Sequence, residues 1–324
     1  MKTKKLLSVL LIIVMVVTMV GVLAACNKDN EQKTLRVALP DGTPLLAMAN
    51  IMDNPVTVGG YKLDFNVVDS SLIGSEITGE KADIAIMPTN AIAKLYSLGA
   101  DYKIVTSNVF GVLYLIGNAD ESFTLDKLIG KVIYSIGEQN TPQLVLEKVL
   151  RGKLGEDKIV LQSTAESGKV AINYVTSGQQ VIAAIKQGKA DYGLVGEPAA
   201  TNAEANGLSN LYDLQEGWSE VTGSLNKYPQ ASLVVKASLA NDKDFVEALV
   251  KVMTDNLDYI SDKDNQVRLT ELFKGYGSSV AFPVASIPRC NVDVKWAEDI
   301  KADIESYLAV FGMAAPDEGF YYKR

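Results

Sequence analysis

"GEKADIAIMPTNA" (residues 79–91) and "QGKADYGLVGEPAA" (residues 187–200) repeat one design in distant parts of the chain. Each passes a glycine and a lysine, then places a single aspartate, Asp83 or Asp191. A short apolar run follows, Ile84 to Met87 in one copy and Tyr192 to Val195 in the other. Each run stops at a proline set among polar residues: Pro88-Thr89-Asn90, and Glu197-Pro198. An unbroken apolar run of this length, bounded by turn residues, reads as a strand buried on both faces.

Working outward, "TLRVALP" (34–40) and "LDFNVV" (63–68) read as strands. Between them, Thr43-Pro44 opens a helix, with Thr43 as N-cap and Pro44 at the first helical position. A short helix starts near Ser71, another runs from about Asn90 to Leu98, and 102–117 returns to strand. From Ser122 a second unit follows the same plan. It has a strand at 131–136, a Gly-rich turn, a helix opened by Thr141-Pro142, strands in "KIVLQS" and "VAINYV", and a helix at 177–188. "YPQASLVV" (228–235) adds a strand, and the remainder reads as mainly helical. Phe245, Leu249, Val252 and Leu257 keep helical spacing, as do Trp296, Ile300, Ile304, Leu308 and Phe311. Strands alternating with helices imply βαβ units and a largely parallel α/β sheet in each of two domains.

In an open α/β sheet, ligands sit beyond the carboxyl ends of the strands, where helices begin. All four proline turns fall at such ends. Two facing domains would present four helix N-termini, with free N–H groups and partial positive charge, to one cleft. Asp83 and Asp191 fall at strand starts, away from that cleft, and read as structural.

Composition narrows the function. The 324 residues are 48% hydrophobic and 22% charged, which suits a globular body of about two domains. The net charge of −8 becomes more negative once Lys2, Lys4 and Lys5 of the leader are set aside, and this argues against nucleic acid. Histidine is absent, which removes His-based acid/base catalysis, His metal ligands and any Ser-His or Cys-His dyad. No cofactor and no metal are implied.

After the basic Lys2, Lys4 and Lys5, Leu6 to Ala25 is apolar and ends Leu23-Ala24-Ala25-Cys26 before the polar "NKDNEQK". The stretch is long enough to span a bilayer as a retained helix. Small residues directly before a cysteine fit processing better, and the pattern resembles the bacterial lipoprotein box. That resemblance implies a signal peptide at 1–25, cleavage before Cys26, lipidation of its sulfur, and a tether at 26–33. Cys290 would then have no intramolecular partner.

"LRVALPDGTPLLAMA", "GEKADIAIMPTNAIAKLYSLGADYKIV", "LIGKVIYSIGEQNTPQLVLEKVL", "IAAIKQGKADYGLVGEPAATNA" and "YPQASLVV", in that order, resemble the substrate-binding proteins of ABC importers. The likeness is to the nitrate/sulfonate/thiamine-precursor group and covers about 35–324. It implies a bilobed type 2 periplasmic-binding-protein fold: two α/β domains with a ligand cleft between them. Domain I would combine 34–117 with 230–324, domain II would be 118–229, and the hinge would lie near Gly117 and Tyr228-Pro229.

The resemblance further implies cleft residues. These are Gly42, Thr43 and Pro44 in the first turn; Pro88, Thr89 and Asn90 in the second; and Asn108, Phe110 and Gly111 near the crossover. In domain II they are Gly137, Glu138, Gln139, Asn140 and Thr141, then Gly196, Glu197 and Pro198; Tyr228, Phe110 and Tyr114 could provide a stacking face, though aromatic residues on such strands are usually core. Glu197 could receive an amine or aminopyrimidine N–H, or only cap its helix. Arg289 reads as a salt-bridge residue that could instead bind an anion, and Cys290 as a buried small apolar residue.

The implied function is a non-enzymatic, lipid-anchored solute-binding protein on the outer face of a bacterial cytoplasmic membrane. It would be a monomer that delivers a small polar organic solute, sulfonate-like or pyrimidine-like, to a permease and its ATPase. A ligand-binding sensor or an adhesion-type lipoprotein on the same fold is the alternative.

Overall fold

The computed structural model describes residues 33–138, 140–224 and 227–324. The leader, Cys26 and Gln139 lie outside the described residues. Two six-stranded sheets organise the rest. The first holds β1 (Thr34–Pro40), β2 (Lys62–Val68), β3 (Ile84–Pro88), β4 (Tyr102–Phe110), β11 (Pro229–Lys236) and β12 (Val292–Trp296), in the order β12-β4-β11-β3-β1-β2. The second holds β5 (Leu113–Gly117), β6 (Val132–Ser135), β7 (Ile159–Leu161), β8 (Val170–Tyr174), β9 (Tyr192–Gly196) and β10 (Ser209–Asp213), in the order β10-β5-β9-β6-β8-β7.

The plan is the same in both lobes. A parallel trio, β2-β1-β3 or β8-β6-β9, is followed by one antiparallel strand, β11 against β3 or β5 against β9. Each antiparallel strand is the one the chain enters after crossing from the other lobe.

The two quoted stretches become β3 and β9 with matching approaches. The amides of Lys81 and Ala82 return to Glu76 O, and those of Lys189 and Ala190 return to Ala184 O. Asp83 N donates to Arg36 O at 2.8 Å, and Asp191 N donates to Val132 O at 3.0 Å. The carboxylates then reach back to the neighbouring strand. Asp83 Oδ2 accepts from Arg36 N at 2.9 Å, and Asp191 Oδ2 from Val132 N at 3.0 Å. Each aspartate thus pins its strand to the middle strand of its parallel trio, β1 or β6, by backbone and by side chain.

Three expectations change. Leu113–Gly117 pairs with β9 and β10, so it belongs to the second lobe, and the first crossover lies at Gly111-Val112 rather than near Gly117. Residues 104–117 are all buried and 109–117 are apolar apart from two glycines, which hid the switch; Gly111, at φ +57°, marks it. Trp296 ends β12 instead of starting a helical stripe, and the helix behind it spans Lys301–Val310. Strand β12 is half-buried along its whole length, so it carries no strong apolar signal. Thr43 is the first residue of a 3-10 helix, Thr43–Met48, whose N-cap is Gly42, and its hydroxyl is used elsewhere.

The crossovers are tied together at one point. Gln215 Oε1 accepts from Leu113 N at 2.9 Å on the first crossover and from Tyr228 Oη at 3.1 Å on the second. A Cβ on Gly111 would lie 2.5 Å from Gln215 Cγ, so only glycine fits there. Beside this point Tyr228 stacks on Tyr307, with centroids 5.8 Å apart and planes at 4°, and Trp218 packs against both.

Candidate functional site at the lobe junction

The carboxyl ends of β1, β3, β6 and β9 meet where the lobes face each other, and Thr43 and Thr141 are among the polar side chains that cross the gap. Thr43 Oγ1 donates to Glu197 O at 2.9 Å, in a buried setting. The 3-10 turn aims that hydroxyl across the junction instead of back at its own helix. Thr141 Oγ1 lies 3.0 Å from Tyr307 Oη and 3.4 Å from Asn90 Oδ1. Thr141 opens the second-lobe helix Thr141–Leu154, whereas Asn90 and Tyr307 belong to first-lobe helices Thr89–Ser97 and Lys301–Val310.

Glu197 is the most heavily engaged group. Its side chain is fully buried, and its carboxylate accepts from Thr201 N at 3.1 Å and Thr201 Oγ1 at 3.2 Å, so it caps the helix Ala199–Ala205. Arg289 Nε lies 2.5 Å from Glu197 Oε1, an ion pair whose N–H is not directed along the contact. Burial pushes the Glu197 carboxyl up, and the Thr201 amide and Arg289 offset only part of that. Arg289 also bonds Glu204 at 2.9 Å and Thr201 Oγ1 at 2.5 Å. Its guanidinium sits 5.6 Å from the Tyr114 ring centre. Cys290, fully buried beside Thr43, has its thiol pushed up to about 12 by burial, so it is a neutral packing group at pH 7.

The other expected site residues divide by position. Thr89 is fully buried and bonds inward to Ser232 at 2.8 Å, which in turn meets Ser107 at 2.9 Å. Asn108 is likewise buried within the first lobe: its Oδ1 accepts from Leu233 N at 3.1 Å and Thr106 Oγ1 at 3.0 Å. Phe110 packs beneath the Lys295 ammonium, at 5.2 Å. Gly42, Pro44 and Pro88 are half-exposed at their turns.

In the second lobe, Gly137 takes φ +74°, and a Cβ there would meet Pro142 at 2.4 Å. Glu138 and Asn140 are exposed, with Asn140 Nδ2 donating to Glu138 O at 3.1 Å. Gly196 ends β9, and Pro198 is the N-cap of the next helix. Gly111 and Tyr228 sit at the crossovers.

Sequence reading missed Tyr307. It lies three residues after Ile304 on the buried face of its helix, a helical spacing that could have revealed it. A cavity of about 170 Å³ borders Tyr307, Tyr228 and Trp218, lined also by Lys227, Asp303 and Ser306.

With this geometry in place, comparison with solved structures fixes the architecture. An ABC transporter from Parabacteroides distasonis superposes with a TM-score of 0.74, at 20% identity over 90% of this chain and 99% of that one. The periplasmic aliphatic sulphonate binding protein SsuA from Escherichia coli gives 0.65, at 12% identity over 90% and 92%. The ligand binding component of an ABC-type import system from Staphylococcus aureus, with zinc bound, gives 0.61, at 15% identity over 90% and 97%. The chain has the bilobed periplasmic-binding-protein fold.

At these identities the likeness concerns the fold alone. No protein-family model matches the sequence, and no curated protein matches it. Among the described residues, no group of three or more His, Cys, Asp or Glu could hold a metal ion, and no helix is long and apolar enough to cross a membrane.

Proposed function

We propose that this chain is an extracytoplasmic solute-binding lipoprotein of an ABC importer. It takes a small polar organic solute between its lobes and delivers it to a permease. The proposed lobes are 33–111 with 229–324, and 112–228, with Cys26 as the lipid anchor. The observation that carries the reading is the pair of polar contacts across the junction, Thr43 with Glu197 and Thr141 with Asn90 and Tyr307. They put hydroxyl, amide and main-chain carbonyl groups from both lobes at the strand ends where such folds take ligands. The solute-binding neighbours support the same role.

The groups facing each other are mainly uncharged, and the Arg289 guanidinium is already matched by Glu197 and Glu204. This favours a solute recognised by several neutral hydrogen bonds over one held by a free cation. Of the two solute classes expected from the sequence, the pyrimidine-like one therefore fits better than the sulfonate-like one.

Differential scanning of the purified protein against aminopyrimidines, alkanesulfonates and amino acids tests this. The expected result is a saturable rise in Tm with an aminopyrimidine, since ligand at a hundred times Kd stabilises by about 2.7 kcal/mol. A rise with alkanesulfonates alone would overturn the solute class. No rise with any of the three would count against the proposed solute.

A further inference from the structure

Arg289 belongs to the first lobe, yet the partners described above all lie in the second. It is in the 3-10 helix Val284–Cys290, which leads into β12 of the first sheet. Glu197 follows β9, Thr201 and Glu204 lie on the helix Ala199–Ala205, and Tyr114 is on β5. The residue they surround is held twice: Arg289 takes its carboxylate, and first-lobe Thr43 donates to its carbonyl. Glu197 is thus gripped from the opposite lobe through both side chain and main chain.

We infer that Arg289 and Thr43 form a solute-independent latch across the cleft, so that the protein populates the closed arrangement before any solute arrives. The charges explain why the latch is strong. If the lobes part, Glu197 loses its cation and keeps only the two Thr201 bonds of its own lobe, and a buried carboxylate without its counter-charge must draw in water or a proton. Opening therefore exposes Glu197 as well as breaking contacts. A closed state populated in advance removes part of the conformational cost of binding and makes transient opening the step that admits solute.

The second crossing contact, Thr141 with Asn90 and Tyr307, shares no residue with the latch and so reports on lobe closure rather than on local structure. Hydrogen exchange by mass spectrometry on the solute-free, full-length protein in detergent reads it directly. With Arg289→Gln, amides at the starts of the helices at 89–97 and 141–154 should exchange about tenfold faster than in the parent. Thr43→Ala should accelerate the same segments by a few-fold. Acceleration confined to 197–206, with those two helix starts unchanged, would make Arg289 a local ion pair and overturn the latch. Should Arg289→Gln unfold, Thr43→Ala decides alone, because it removes one hydroxyl and leaves the charges intact; unchanged exchange at the two helix starts would again overturn the proposal. No solute is needed, so the outcome is independent of the solute assignment above.

Discussion

The stretches 79–91 and 187–200 enter their sheets alike and leave them differently. On entry, both close a helix through the same amide pattern, and both use an aspartate to hold the adjacent strand. On exit, Pro88-Thr89 turns its hydroxyl inward to Ser232 of its own lobe, whereas Glu197 meets Arg289 of the other. The entry solves a folding problem common to both lobes, namely fixing the register of a buried parallel strand. The exit faces the junction, where the two lobes have different tasks. Repetition therefore marks scaffold, and divergence within the repeat marks where function is to be sought.

The largest expected difference is between the two aspartates. Asp83 is held by Arg36 N, Nε and Nη2 and by Lys236 at 3.4 Å, and its side chain is mostly buried. Asp191 has Val132 N and an exposed Lys131 at 3.2 Å. Asp83→Ala should cost about 2–3 kcal/mol and Asp191→Ala about 1 kcal/mol in denaturant titration. Burial pushes the Asp83 carboxyl up, but the Arg36 bonds and the Arg36 and Lys236 charges outweigh it and leave it below the usual range. The folded state then binds the proton less readily than the unfolded one. The contribution is present above the ordinary aspartate pKa of about 3.9 and is lost as pH falls through the lower folded value. The stability gap between parent and Asp83→Asn should therefore close below about pH 4. Equal costs for the two aspartates, or a gap that persists in acid, would break the assignment.

A smaller difference lies inside the strands. Gly193 of β9 stands where β3 has Ala85, and a Cβ on it would come within 2.2 Å of Val181 Cγ1 and 3.1 Å of Ile185 Cδ1. Gly193→Ala should destabilise by about 1–2 kcal/mol through overpacking, measured as a lower Tm. An unchanged Tm would mean that the helix Gly178–Lys186 can shift away freely.

The smallest is at the turn. Glu80 takes φ +51° where the second copy has Gly188 at +68°. Glu80→Gly should gain roughly 1 kcal/mol, and Gly188→Ala should lose a similar amount, since no atom lies within 4 Å of the added Cβ and only backbone strain remains. Calorimetric Tm values that move the same way in both variants would sink the equivalence of the two turns.

Strands β3 and β9 were legible because burial on both faces leaves continuous apolar runs between turn residues. Strand β12 was not: "VDVKW" is polar at alternate positions and half-buried, and Trp296 happened to fall in helical register with Ile300 and Ile304. The lobe switch at Gly111 was hidden by apolar continuity. The proline turns located the junction, since backbone conformation follows local sequence. Partners did not follow, because what Arg289 touches depends on how residues 85 to 175 positions away in the chain fold beside it. A carboxylate at a helix start, such as Glu197, looks the same in sequence whether it caps, pairs or awaits a ligand.

One amide oxygen has a mechanical consequence. Gln215 accepts from Leu113 on one connection and from Tyr228 on the other. Two unlinked connections would let the lobes twist, shear and slide as well as swing. Coupled through a single acceptor, they act as one pivot: bending either connection pulls on Gln215 and so loads the other. Such a joint favours rotation about one axis, and polar groups that meet across the junction would return to the same register each time it closes.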